Sequence, residues 1–544
     1  MDIFKRESKL DRFLTKLTPW VFLSVAILYT ANVSINWRPE WDSAYYMILA
    51  ESLLEGEGFT YLNYPCLKIP FGFPLLIAPV MHFTDNFLIL NIFILLFVGI
   101  AFFAIYRSFG KTYTPVYALI VAALTAWSSL SLFYAGYVMI EFPFIAFSFL
   151  SLYFALLYSK RPTLPSGIAA VTFLLASFFL RTVGIALIGG IFVYFLLHRI
   201  KIMKTVRFAA LTLLLLIPIG LWIVQNRSAD VDNEDPVWQL QEFIPSREEA
   251  KRFRFDDPMS SVNGAGDLIR RAVLNGQYYG AITSTVLLGF SFRLKREDFE
   301  NPSSWSYITL LGIAALLTLT GFLLSLKQKR TVFDYYFILY MGILMAWSAR
   351  EPRYILPVLP MLLHYFLTGF SKTVAYISNR VSPRLSPQIA QTAVVLFSVL
   401  YLVLNSVQNH QIIKEQHRAD YYPYHMKNFL RTADWLKHNT EKDAKVVSVL
   451  APISAYFSKR WTVSFPRVKN EQKIASFLHR IDADYLVVNP SYAREEKYLE
   501  AVVDSFPHLF RKLSVTGEAV VYSIDRNKLE KLHQNSRNIP LEDD

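Results

Sequence analysis

Ile69-Pro70-Phe71-Gly72-Phe73-Pro74-Leu75-Leu76-Ile77-Ala78-Pro79-Val80-Met81-His82-Phe83 is the stretch on which the topology of the chain turns. It is apolar, but at about 15 residues it is short for roughly 30 Å of hydrocarbon, and three prolines interrupt it. It therefore reads as an interfacial or re-entrant segment. Counting it as a span would invert every later loop, and the placement of lysine and arginine argues against that inversion.

Outside this stretch, apolar runs long enough to span a bilayer are expected at 18–35, 86–106, 113–133, 141–159, 166–182, 183–198, 208–224, 305–325, 331–349, 354–371 and 388–408, about eleven helices. With 69–83 left out, one side of the membrane receives residues 1–17, Arg107 and Lys111, Lys160 and Arg161, Arg199 to Arg207, Lys327 to Arg330, and Lys372 to Arg384. That is the cytoplasmic side by the positive-inside rule. The outer side then holds 36–85, 134–141, 225–304, 350–353 and everything beyond about 409. The N-terminus is expected inside a cytoplasmic (inner) membrane and the C-terminal region outside it.

The bulk composition agrees. Of 544 residues, 53% are hydrophobic and 15% aromatic, with mean hydropathy +0.30, more apolar material than one globular core uses. The net charge of +12 would suggest nucleic acid in a soluble protein, but here the cations sit in short loops between spans, so membrane lipids and not nucleic acid are the expected surroundings. The first apolar run follows a basic segment and lacks a small-residue cleavage site, which reads as a retained anchor. Cys66 is the single cysteine, which excludes an intrachain disulfide and a cysteine-built metal site.

The reading divides the chain into a polytopic helical part, 1–410, and a C-terminal soluble α/β domain, 426–525, followed by a polar tail, 526–544, expected to be disordered. The α/β assignment rests on strand-like Lys445-Val446-Val447-Ser448-Val449-Leu450 and Tyr485-Leu486-Val487-Val488 alternating with helical patterns. Within the large outer loop 225–304, Asp267 to Leu288 carries enough apolar periodicity for a helix at the outer surface.

Phosphate-cradling glycine loops, His-x-x-x-His spacing and Gly-x-Ser-x-Gly elbows are all absent from the sequence. What carries information is the order of charged residues at outer span ends. Trp41-Asp42 opens an amphipathic stretch after the first span, and Lys68 precedes the proline-rich segment. Glu141-Phe142-Pro143 begins a span, Arg181-Thr182-Val183-Gly184 lies between two, and Arg350-Glu351-Pro352-Arg353-Tyr354-Ile355-Leu356-Pro357 leads into another. This order resembles the GT-C membrane glycosyltransferases, in the branch with the protein O-mannosyltransferases and the lipid A aminoarabinose transferases, over roughly residues 18–410.

The resemblance implies an outward-facing active site, a polyprenyl-phosphate-linked sugar as donor, a glycan, lipid or protein hydroxyl as acceptor, and an acid in the first outer loop, matched here by Asp42. Arg353, Arg350, Lys68, Arg181, Glu141 and Tyr45 are the expected substrate-binding residues. Relatives often carry a second acid directly after the first, or one just before the lysine; Ser43 and Leu67 stand there in this chain. A divalent metal is thus left open. Each residue also has a plainer role: Glu141 as an acid at a helix N-terminus, Arg181 in interhelical pairing, Arg350 or Arg353 as a neutraliser of Glu351, Tyr45 and Tyr46 as interfacial aromatics, and Arg227 as an interfacial anchor. Rival functions are a flippase of lipid-linked sugars, which would show repeated halves and midplane charges, and a polysaccharide polymerase or ligase, which would lack the appended domain.

Overall fold

The computed structural model describes residues 15–61, 64–66, 69–198, 202–226, 264–292, 305–328, 330–418, 422, 424–465, 470–489 and 496–536. Five helices are long and apolar enough to cross a membrane: Phe87–Phe109, Glu141–Lys160, Ile308–Gln328, Pro352–Val381 and Ser386–Gln416. A sixth is a bent pair, Pro115–Trp127 with Ser129–Ala135, at 58°. The span expected at 208–224 falls on the 25-residue helix Ile202–Asn226 and the four others on shorter apolar helices, Thr18–Ala31, Leu164–Leu180, Thr182–Leu197 and Val332–Ala346, so among the described residues eleven full-length spans exceed what length alone supports. Local breaks shorten them. Arg181 takes an extended conformation (φ −154°, ψ 125°) that ends Leu164–Leu180, and Val332–Ala346 stops at extended Trp347.

The break at Ser128 lies inside a run that the sequence presents as continuous. In a low-dielectric surrounding the freed backbone groups need partners. Neighbouring side chains supply them: Tyr29 Oη donates to Ala126 O at 2.7 Å, Asn409 Nδ2 to Trp127 O at 2.9 Å and Asn32 Nδ2 to Leu132 O at 2.9 Å, while Asn405 Oδ1 accepts from Ser129 N at 2.8 Å. Asn405→Leu keeps much of the volume but strands a buried amide, at a cost of about 1–3 kcal/mol. The expected result is a lower thermal midpoint of the purified protein with unchanged membrane insertion, read by unfolding in detergent.

Gly72 begins the helix Gly72–Phe83 on the proline-rich stretch, where a Cβ would come within 2.6 Å of Phe179 O. Glycine alone lets that helix abut the end of Leu164–Leu180, next to Arg181. A tighter contact joins Trp305–Gln328 to Leu359–Val381, where a Cβ on Gly321 would lie 1.8 Å from Tyr365 O and one on Gly369 would lie 1.9 Å from Leu317 O. Small residues at such a crossing let two membrane helices pack backbone to backbone. This fixes the helix whose leading 3-10 turn, Pro352–Val358, carries Arg353.

In the large loop, the helix Ala265–Leu287 is laid across the end of Val332–Ala346. Asn275 Nδ2 donates to Leu344 O, Met345 O and Trp347 O at 2.8–3.0 Å, and Arg271 Nη1 donates to Ala346 O at 3.3 Å. These bonds satisfy carbonyls that a helix end leaves open. Residues 227–263 and 293–304, Arg227 among them, lie outside the described residues.

The C-terminal region folds on a five-stranded sheet in the order β4-β3-β5-β7-β6, where β1 is Thr60–Tyr61 and β2 Tyr64–Pro65 in a small hairpin, β3 is Lys445–Ser448, β4 Trp461–Val463, β5 Tyr485–Val488, β6 Phe510–Thr516 and β7 Ala519–Ile524. β3 pairs in parallel with β4 and β5, and β7 runs antiparallel to β5 and β6. The parallel strands are buried, hence their unbroken Val446-Val447 and Leu486-Val487-Val488. The first part of the tail, Arg526–Ser536, is a helix where disordered chain was expected, and residues 537–544 lie outside the described residues. Asp525 accepts from Lys528 N at 3.2 Å as its cap, Leu529 is buried, and Arg526 pairs with Asp482 and Asp484.

Candidate active site

Asp42 stands in the first turn of the helix Trp41–Leu54. Ser43, in the place of a second acid, serves the start of that helix: it accepts from Glu40 N at 3.3 Å and donates to Glu40 O at 2.9 Å. Asp42 is 39% exposed and so open to a substrate, while its Oδ2 accepts from Arg353 Nη2 at 2.6 Å. Residues 311 apart in sequence thus meet at the mouth of the bundle.

Behind this pair lies Glu141, 1% exposed, with Oε1 at 3.8 Å from Arg353 Nη1 and 3.6 Å from Arg181 Nη1. Both separations exceed hydrogen-bonding distance, and neither Glu141 oxygen has a hydrogen-bond partner among the described residues. Burying a carboxylate this deeply is costly unless cations stand against it, and here two guanidinium groups do. Both also lean on one ring: the Arg181 guanidinium carbon is 4.7 Å and that of Arg353 5.4 Å from the centre of Tyr354. The constellation is two acids against two arginines.

Glu40 adds a fifth ionisable group. Burial pushes its carboxyl up to about 7, against the pull of Arg353 and with further upward pressure from Asp42 and Glu351. It is therefore the acid of this cluster held furthest above the usual carboxylate range, beside Asp42. Its identity as an acid before Trp41 was visible in sequence, but not its burial.

Of the expected site residues, Asp42, Glu141, Arg181 and Arg353 come together. Arg350 does not join them; its Nε donates to Asn275 Oδ1 at 2.8 Å, so it ties the helix Ala265–Leu287 to the chain before Arg353. Tyr45 packs against Tyr61, ring centres 4.8 Å apart and tilted by 54°, in the small apolar cluster that also buries Leu49, Phe59 and Cys66. Its neighbour Tyr46, packed on Phe73 at 5.0 Å, lies in the field of all four charged groups. Lys68 lies outside the described residues. Met139 was missed by sequence reasoning, and its Sδ accepts from Arg353 Nη1 at 3.6 Å.

Among the described residues no group of three or more His, Cys, Asp or Glu is placed to hold a metal. Asp42 and Glu141 face arginines, and Glu51, the other acid on the Asp42 helix able to join a metal, contacts Lys459 at 2.5 Å. Among the described residues each of these three acids is thus engaged by a cation of the protein itself.

No protein-family model matches the sequence, and no curated protein does. Solved structures do match. ArnT from Cupriavidus metallidurans in the apo state aligns over 94% of this chain and 99% of its own, at 12% identity and TM-score 0.53. The same protein bound to undecaprenyl phosphate aligns over 93% and 98%, at 13% identity and TM-score 0.50. The archaeal oligosaccharyltransferase AglB from Archaeoglobus fulgidus, in complex with an inhibitory peptide and a dolichol-phosphate, aligns over 98% of this chain and 76% of its own, at 12% identity and TM-score 0.53. These are GT-C fold glycosyltransferases, and the chain has the GT-C fold.

Proposed function

We propose that this protein is an inverting glycosyltransferase that moves a sugar from a polyprenyl-phosphate donor to an acceptor hydroxyl at the outer face of the cytoplasmic membrane. The observation that carries the reading is the Asp42–Arg353 contact, an exposed carboxylate and a buried guanidinium 2.6 Å apart at the helix ends of a GT-C fold. The two neighbours hold undecaprenyl phosphate and dolichol-phosphate, both lipid phosphates, which is the leaving group this site is suited to receive.

The chemistry follows from charge. A hydroxyl is a weak nucleophile until a base accepts its proton in the transition state, which is the task of Asp42. The acceptor oxygen bonds to the anomeric carbon from the face opposite the phosphate, so the configuration inverts. The carbon–oxygen bond to phosphate breaks, and its electron pair remains on the phosphate oxygen. As Asp42 takes the proton its negative charge disappears, and its hold on Arg353 weakens. The guanidinium is then released toward the charge growing on the phosphate, in reach of charge-assisted hydrogen bonds. Glu141, behind it at 3.8 Å, keeps the released arginine from drifting out of the site.

The acceptor is a hydroxyl of an envelope glycan, a glycolipid or a protein. Purified protein incubated with labelled polyprenyl-phosphate sugars and membrane extract should release free polyprenyl phosphate in step with a labelled product, and envelope glycolipids from cells with and without the gene should differ by one sugar mass. Translocation of the intact lipid-linked sugar across vesicles with no bond broken would instead identify a flippase.

A further inference from the structure

The helix that presents Asp42 does not stand on the transmembrane bundle alone. The short helix Ala451–Ser458 of the C-terminal region packs against Trp41–Leu54 and against the residues that lead into it. Ahead of the first turn, Trp37 is 1% exposed, stacked on Phe87 (5.8 Å, 14°) and closed from the other side by Tyr456 at 5.5 Å and Phe457 at 5.3 Å. Toward the other end, Lys459 Nζ donates to Glu51 Oε2 at 2.5 Å and lies 4.3 Å from the Tyr456 ring centre.

Lys459 occupies a costly position. It follows the helix Ala451–Ser458 in the left-handed conformation, φ 53° and ψ 36°, where glycine is the usual residue because it has no Cβ to clash. Keeping a lysine there has a reason if its side chain is needed, and its side chain joins Glu51 to Tyr456. Strained residues held by their surroundings cluster at functional sites. The contact is only partly exposed, with Lys459 at 44% and Glu51 at 28%, so it serves better to fix geometry than to hold the fold together.

We infer that the C-terminal region positions the base: Lys459 on Glu51 and the Trp37 cage, joined through Tyr456, set the angle of Trp41–Leu54 and so aim Asp42. These are positioning residues that act through the helix. The inference rests on reading Asp42 as the base. A displacement of about 1 Å in a reacting group costs on the order of 10²-fold in rate, so a modest tilt of this helix is enough to matter.

The test is Lys459→Gly, which relieves the backbone while removing the ion pair, alongside Glu51→Gln and the exchanged pair Glu51→Lys with Lys459→Glu, all in the full chain with thermal midpoints recorded. The expected result is a fall in kcat of about tenfold or more for either single change, an unchanged KM for the polyprenyl-phosphate donor, an unchanged or raised midpoint for Lys459→Gly, and recovery of most of kcat in the exchanged pair. Full kcat in Lys459→Gly beside an inactive Asp42→Asn would overturn the inference and leave the catalytic reading standing. A loss of kcat that only tracks the loss of folded protein, with no recovery in the exchanged pair, would also overturn it. Normal turnover by Asp42→Asn would remove the catalytic reading and this inference with it.

Discussion

Asp42→Asn lowers kcat by about 10²–10⁴-fold, the usual range for loss of a general base, while the protein still inserts, folds and binds the donor lipid. The amide has the shape of the carboxylate and its carbonyl oxygen still accepts from Arg353 Nη2, so the 2.6 Å contact keeps its geometry. What it lacks is a site for the acceptor proton. Asp42→Glu keeps the base but moves it by one methylene, toward or past Arg353, and recovers only part of the rate because the arginine fixes where the oxygen must be. Purified variants assayed for release of polyprenyl phosphate check both. Near-normal turnover by the asparagine variant would remove Asp42 from the role, and the neighbouring Glu40, whose carboxyl burial pushes up, would be the next acid to test.

The four residues that converge were legible because each is a charge at the end of an apolar run. Such a residue is expensive to leave in or near hydrocarbon, so it must find a partner or a ligand. Sequence order could say that Asp42, Glu141, Arg181 and Arg353 lie at one level of the bundle. It could not say which way a side chain points. Arg350 and Arg353 flank Glu351 symmetrically in sequence, yet the 3-10 turn Pro352–Val358 sends Arg353 to Asp42 while Arg350 bonds Asn275. The same holds for Tyr45 and Tyr46, adjacent residues of a helix separated by about 100° of rotation.

The kink at Ser128 was hidden for a different reason. Residues 113–133 are mostly apolar, with Ser128, Ser129 and Ser131 as the one local hint, and the partners that let the helix break there are Asn405 and Asn409 on another helix, whose four-residue spacing puts both on one face toward the open carbonyl and amide. Read alone, those asparagines look like tolerated polar residues in a span. Long-range pairing of that kind also hid the contact of Glu51 with Lys459, 408 residues apart.

Arg353→Ala weakens use of the donor, with affinity for polyprenyl phosphate falling roughly 10- to 100-fold, as expected for charge-assisted hydrogen bonds worth about 1.5–3 kcal/mol. It also lowers kcat, because the same guanidinium orients Asp42. Arg353→Lys should be intermediate: the ammonium supplies charge to one partner at a time, whereas the fork of Arg353 meets Asp42 through Nη2 and faces Glu141 through Nη1, with Nε unpartnered among the described residues. The competing explanation is that Arg353 only neutralises Glu141, which removal of the arginine would leave buried with Arg181 alone, at a cost of about 3–5 kcal/mol. Glu141→Gln separates the two, since it removes the need for neutralisation. In the double variant Glu141→Gln with Arg353→Ala, stability should return while binding of polyprenyl phosphate, measured directly by titration, stays weak. If binding and turnover returned together with stability, Arg353 would be a structural counter-charge, and the phosphate would have to be held by another cation.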